Sequence, residues 1–117
     1  MKAMKKLSPM IPSTNMGMTK DFLVQSLGFS VVMDTPDYII TTIEGNDLHV
    51  VPSLSESPNE VSIYLEVYDV EEAWALYQRS HQKSDKVKPP FLQPYGMREF
   101  HVILPYTNCL IFVGQKK

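Results

Sequence analysis

Along residues 61–67 apolar and polar side chains alternate strictly, with Val61, Ile63, Leu65 and Val67 on one parity and Ser62, Tyr64 and Glu66 on the other. A period of two is the mark of a strand with one buried face. Behind Asp69 the period changes: Val70, Ala73, Trp74 and Tyr77 recur at the i, i+3, i+4, i+7 spacing of a buried helical stripe. A helix capped by Asp69 is therefore predicted through about Ser80. Residues 100–104 and 109–113 are almost wholly apolar, β-branched or aromatic, and Pro105, Thr107 and Asn108 supply turn chemistry between them. They read as a buried hairpin whose first strand reaches back to Met97, preceded by a weak segment at residues 87–92 with three prolines nearby.

The first half repeats this order. Residues 7–13 contain two prolines and suit a short edge strand. Phe22, Leu23 and Leu27 form one face of a helix over residues 16–27, with Asn15 among its candidate caps and Gly28 as its stop. Strands follow at residues 29–33, 38–43 and 47–51, with a tight corner at Glu44, Gly45 and Asn46. Both halves thus read β-α-β-β-β. The chain divides into module one at residues 1–53, a polar linker at 54–59, and module two at 60–117. Residues 45–51 overlay residues 107–113 without a gap, which suggests an internal duplication whose halves share a curved sheet.

At 117 residues the chain fits one domain with a single core. A net charge of -2 offers no footprint for nucleic acid, so none is expected as a partner. Cys109 is the only cysteine, which excludes an internal disulfide or a Cys-rich zinc site. Lys2, Lys5 and Lys6 are followed by Leu7, Ser8 and Pro9 instead of an apolar run, and no stretch approaches the ~20 apolar residues of a membrane helix. The expectation is a cytoplasmic protein without a membrane partner.

Residues 15–29, with Phe22 and Leu23 before Leu27, Gly28 and Phe29, resemble the first-helix signature of the vicinal-oxygen-chelate superfamily of glyoxalases, ring-cleaving dioxygenases and bleomycin-resistance proteins. Residues 65–77 resemble its second-helix signature, and residues 94–115 the closing segment of its bleomycin-resistance branch. The resemblance implies an α+β fold in which two βαβββ modules form a curved mixed sheet around a cleft, usually completed in a homodimer. Metal enzymes of the superfamily carry His or Glu at four inward positions on the first and last strands of each module. Those positions fall on Ser8, His49, Ser62 and Ile111, of which only His49 is a strong ligand.

That departure points to the binding branch: a protein sequestering a bulky aromatic or cationic small molecule, with no catalytic residues, metal or other cofactor. Tyr64 and Glu66 offer an aromatic wall and an anion to such a ligand. Glu99 and His101 share a parity with Met97 and Ile103 and line the same cleft, although Glu99 at a strand mouth also reads as simply solvated. Arg98 faces the opposite way. Tyr95 is a rim contact or an ordinary loop aromatic, and His49 lines the pocket. Two alternatives remain open. One is a divalent-metal enzyme built on His49 and Glu66 with Glu99 or Asp47. The other is a degenerate member whose own side chains fill the cleft and which acts through protein contacts.

Overall fold

A computed structural model describes residues 3–117, so Met1 and Lys2, which opens the basic N-terminal run, lie outside the described residues. Ten elements follow in order: β1 (Met10–Ser13), α1 (Met16–Leu27), β2 (Ser30–Asp34), β3 (Ile39–Ile43), β4 (Asn46–Pro52), β5 (Val61–Glu66), α2 (Val70–Arg79), β6 (Phe91–Leu92), β7 (Met97–Leu104) and β8 (Cys109–Lys116). No helix among the described residues is long and apolar enough to cross a membrane.

Local chemistry explains the element boundaries. Asn15 accepts from the Met18 amide at the start of α1, and Gly28 ends that helix with φ +85°, a left-handed conformation that glycine adopts without a side-chain clash. The Asp69 carboxylate accepts from the Glu71 and Glu72 amides at the start of α2, a cap worth about 1 kcal/mol. Pro9 keeps β1 short. The strand begins at Met10, three residues later than the prolines of the first segment suggest, and Ser8 lies outside it.

Each module forms its own four-stranded mixed sheet, β1-β4-β3-β2 in sheet A and β5-β8-β7-β6 in sheet B, with the first strand parallel to the last. The halves are joined through their helices. α1 and α2 pack on each other, α1 also meets β3, β4 and β7, and α2 meets β7 and β8. One core results, drawing Ile11, Phe22, Leu23, Leu48 and Val50 from the first module and Tyr77, Phe100, Val102, Leu104, Ile111 and Val113 from the second. Ile63, Leu65 and Val67 pack against this core as their parity requires, while Val61 at the strand end is exposed.

Both halves fold in the order β-α-β-β-β, but the register that relates them differs from the gapless overlay. Ile43 pairs with Asn46 across a two-residue corner, whereas Leu104 pairs with Cys109 across four residues. Matching these pairs makes His49 the counterpart of Phe112, not of Ile111. Because side chains alternate faces, that one-residue slip reverses the assignment. Ile111 points to the helices and is buried, so the expectation that it occupies an inward cleft position is corrected. Beside His49 on β1 stands Met10, and beside Phe112 on β5 stands Tyr64.

Candidate functional site

The helix-free face of sheet B is laid out in rows by the strand register. Glu66, Gly114, Glu99 and Phe91 form one row; Tyr64, Phe112 and His101 form the next; Ser62, Leu110 and Ile103 the third. Alternation brings Tyr64, Glu66, Glu99 and His101 to one surface, and sends Arg98 to the other, where it pairs with Glu71 of α2 at 2.9 Å.

Glu99 is the centre of this surface. Its side chain is 0% exposed, so the reading of a solvated carboxylate at a strand mouth is overturned. Oε1 accepts from the Tyr64 hydroxyl at 2.9 Å and the Tyr95 hydroxyl at 2.7 Å. Oε2 accepts from His101 Nε2 at 2.5 Å and from Gln93 Nε2 at 3.4 Å. Burial opposes the charge, but donation from Tyr95, His101, Tyr64 and Gln93 outweighs it and holds the carboxyl below its ordinary value of 4.5. The anion opposes deprotonation of its partners in turn: burial and then the bond to Glu99 raise the Tyr64 phenol well above its usual range, and the Glu99 bond pushes Tyr95 up to about 12. Both phenols stay protonated donors, and their oxygens keep lone pairs for an outside partner.

Each donor is delivered by a recognisable local device. Tyr95 sits in the corner between β6 and β7, where Gly96 at φ +90° turns the chain back so that the ring returns over the strand it precedes. Tyr64 reaches Glu99 only because the intervening strand carries glycine: a Cβ built on Gly114 would lie 2.0 Å from the Tyr64 hydroxyl oxygen and 3.0 Å from the Glu99 Cβ. Phe112 forms the floor, with the Tyr64 ring stacked on it at 6.0 Å between centroids and the His101 ring at 4.1 Å. Phe91 meets the far side of His101 edge-on at 5.4 Å. Tyr64 and Tyr95 nonetheless remain 42% and 59% exposed, so the carboxylate is covered by rings that solvent, or a ligand, can touch. Glu66 is exposed in the same row as Glu99.

His49 falls elsewhere. It lies on β4 in sheet A, its Nδ1 2.8 Å from the Tyr38 hydroxyl and the two rings edge-on at 5.3 Å. Asp47, on the same strand, is engaged by Lys6 at 3.1 Å. The donors considered for a metal enzyme therefore split, Asp47 and His49 on one sheet and Glu66, Glu99 and His101 on the other. Among the described residues no group of three His, Cys, Asp or Glu side chains comes together to hold a metal. The strand positions beside one another at the centres of the two sheets carry Met10 with His49 and Tyr64 with Phe112, and three of these four side chains are not effective ligands for a hard or borderline divalent ion. The residues present do not fit the metal centre of the superfamily's enzymes.

Sequence reasoning missed Gln93, Phe112 and Gly114. The corrected register recovers Phe112. A glycine inside an apolar strand, as in the run from Leu110 to Gln115, is itself a signal of close approach by a neighbour, but only if the strand is continued past Val113.

Residues 7–109 match the family model described as the glyoxalase/bleomycin resistance protein/dioxygenase superfamily, and the chain belongs to that superfamily. No curated protein matches it closely enough to count as a relative. Among solved structures, the bleomycin-binding protein from bleomycin-producing Streptomyces verticillus, complexed with copper(II)-bleomycin, is similar at a TM-score of 0.80 and 18% identity, with 100% of each chain covered. An antibiotic binding protein from Streptomyces sp. CB03234 gives 0.78 at 21% identity, again over 100% of both chains. A glyoxalase-related enzyme from Clostridium phytofermentans gives 0.77 at 14%, covering 99% of this chain and 98% of its own. Identities this low establish a shared fold.

Proposed function

We propose that this protein binds a bulky aromatic cation on the helix-free face of sheet B and sequesters it without metal chemistry. The observation that carries the reading is Glu99: an ionised carboxylate with no solvent exposure, roofed by the exposed rings of Tyr64 and Tyr95. A flat cation resting on those rings gains a cation–π contact of about 0.5–2 kcal/mol. The anion beneath, about 7 Å away, adds on the order of 2 kcal/mol at an effective dielectric near 20. The ligand need not displace any donor from the carboxylate, so binding leaves the network intact. Glu66 supplies a second anion at the rim, His49 and Tyr38 a separate aromatic pair on sheet A. The bleomycin-binding and antibiotic-binding structures of the same fold support a reading of ligand sequestration.

The protein acts as a homodimer in this account. Val31, Val32 and Met33 on β2, Met10 on β1 and Ile103 on β7 are exposed apolar side chains of edge and face. A second copy covering them would enclose the ring-lined surface as a cleft. Sedimentation at micromolar concentration should give twice the mass of the chain, and a monomer would remove this part.

Thermal unfolding tests the ligand class. Metal-free bleomycin at about 100 times its Kd should stabilise the protein by roughly 2.7 kcal/mol, whereas divalent metals and chelator should leave the midpoint where it was. A metal-dependent shift with no drug response would return the chain to the enzymes.

A further inference from the structure

We propose a second site, for an apolar anion, beneath the loop that joins α2 to β6. A cavity of about 570 Å³ opens there, within the size range of small-molecule sites. It exists because β6 is only two residues long. It pairs with β7 at Arg98 and Glu99 alone, so among the described residues no strand lies beside the outer edge of β7 from His101 to Leu104. The gap reaches down to the aromatic core, where Phe22 and Tyr77 form the floor and Val102 a wall, and the loop holds its roof in place through the Ser84 amide, which donates to the Tyr77 hydroxyl at 2.7 Å.

The charge on this cavity decides the ligand. Its lining includes Lys86, Lys88 and His101 and no acidic residue. Neither lysine has a carboxylate within ion-pair distance among the described residues. Three further cavities each carry an acid: Asp34 and Glu56 in one, Glu44 and Glu66 in another, Glu60 in the third. In a chain of net charge -2, an apolar chamber with two unpartnered ammonium groups at its mouth is complementary to a hydrocarbon or aryl chain ending in a carboxylate, the tail on Val87, Phe91, Ile103 and Leu110 and the head at Lys86 and Lys88. This site shares His101 and Phe91 with the cation surface around Glu99, but its two lysines belong to the α2–β6 loop and take no part in that surface.

Trp74 reports on it, because its ring lies 5.6 Å from that of Tyr77. Titration with decanoate below its micellar concentration should change tryptophan emission saturably at one ligand per chain, and decyltrimethylammonium of equal chain length should not. The charge-reversed variant K86E/K88E, altered only on an exposed loop, should keep the wild-type unfolding midpoint and bind decanoate at least about tenfold more weakly. Tyr95→Phe should bind decanoate as the wild type does, which separates this site from the first. Absence of a saturable decanoate response, equal binding of decanoate and decyltrimethylammonium, or unchanged affinity in K86E/K88E would each overturn the proposal.

Discussion

Gly114→Ala isolates the feature on which the ring-roofed carboxylate depends. At most strand positions with ordinary backbone angles this change stabilises by about 0.4–1 kcal/mol through the unfolded chain. Here the added methyl would stand 2.0 Å from the Tyr64 hydroxyl oxygen, 2.9 Å from its Cζ and 3.0 Å from the Glu99 Cβ. The phenol is the movable partner and must swing away, because Glu99 is rooted in a paired strand. What is lost is a hydrogen bond to a charged acceptor, about 1.5–3 kcal/mol, and the partial exposure of Tyr64 argues for the lower end. Offset by the glycine term, the net cost is about 1 kcal/mol, or roughly 4 °C in the midpoint for a domain of this size. Chemical denaturation of the wild type, Gly114→Ala, Tyr64→Phe and the double variant measures the coupling directly. Phenylalanine removes the bond and the nearest clashing atom, leaving only the ring carbon at 2.9 Å to give way by a small ring shift, so the double variant should fall short of the summed single costs by about 1 kcal/mol. Additivity within about 0.3 kcal/mol would refute the idea that Gly114 exists to admit Tyr64.

Other consequences can be checked as simply. Since hydrogen bonds hold the Glu99 carboxyl below 4.5, its contribution to stability is complete above that value and is lost as pH falls through its lower folded value. Glu99→Gln should flatten the acid limb of the stability curve below about pH 4.5 and leave its shape at neutral pH unchanged; an unaltered acid limb would contradict the ionised assignment. Burial pushes the Cys109 thiol up to about 11, so a thiol reagent at pH 8 should react with the unfolded chain and spare the native one. Thr19 is buried and bridges Ser13 and the Pro105 carbonyl at 2.7 Å each, tying α1 to the β7–β8 corner. Thr19→Val should cost about 1–3 kcal/mol in a denaturant melt. By contrast, Arg98→Ala breaks only the exposed pair with Glu71 and should cost less than about 1 kcal/mol.

Period and punctuation carried most of the fold. The strict alternation of residues 61–67 and the i, i+3, i+4, i+7 stripe behind Asp69 located β5 and α2 within a residue or two, because each pattern is sustained and the helix opens on a cap whose hydrogen bonds are present. What periodicity could not supply was the phase of one module against the other. That phase depends on how many residues a corner consumes, two at Glu44 and four at Pro105, and both corners contain equally polar residues. The misplacement of Ile111 followed from this one count. Parity placed Tyr64, Glu66, Glu99 and His101 on a common face, but the fate of Glu99 was illegible. Whether a carboxylate on a strand is solvated or enclosed is decided by Tyr95 and Gln93, which reach it through the fold of a loop, and by the absence of a side chain at Gly114. His49 drew interest as the strongest ligand type in the chain, yet it lies on the other sheet against Tyr38.

Calorimetric titration of metal-free bleomycin, with chelator present, into the wild type and Glu99→Gln tests the central claim most directly. The buried charge accounts for about 2 kcal/mol of binding, so the wild type should bind saturably and the variant, with its neutral isostere under the same two rings, roughly 30-fold more weakly. Equal affinities for the two proteins, or no heat of binding from either, would contradict the account.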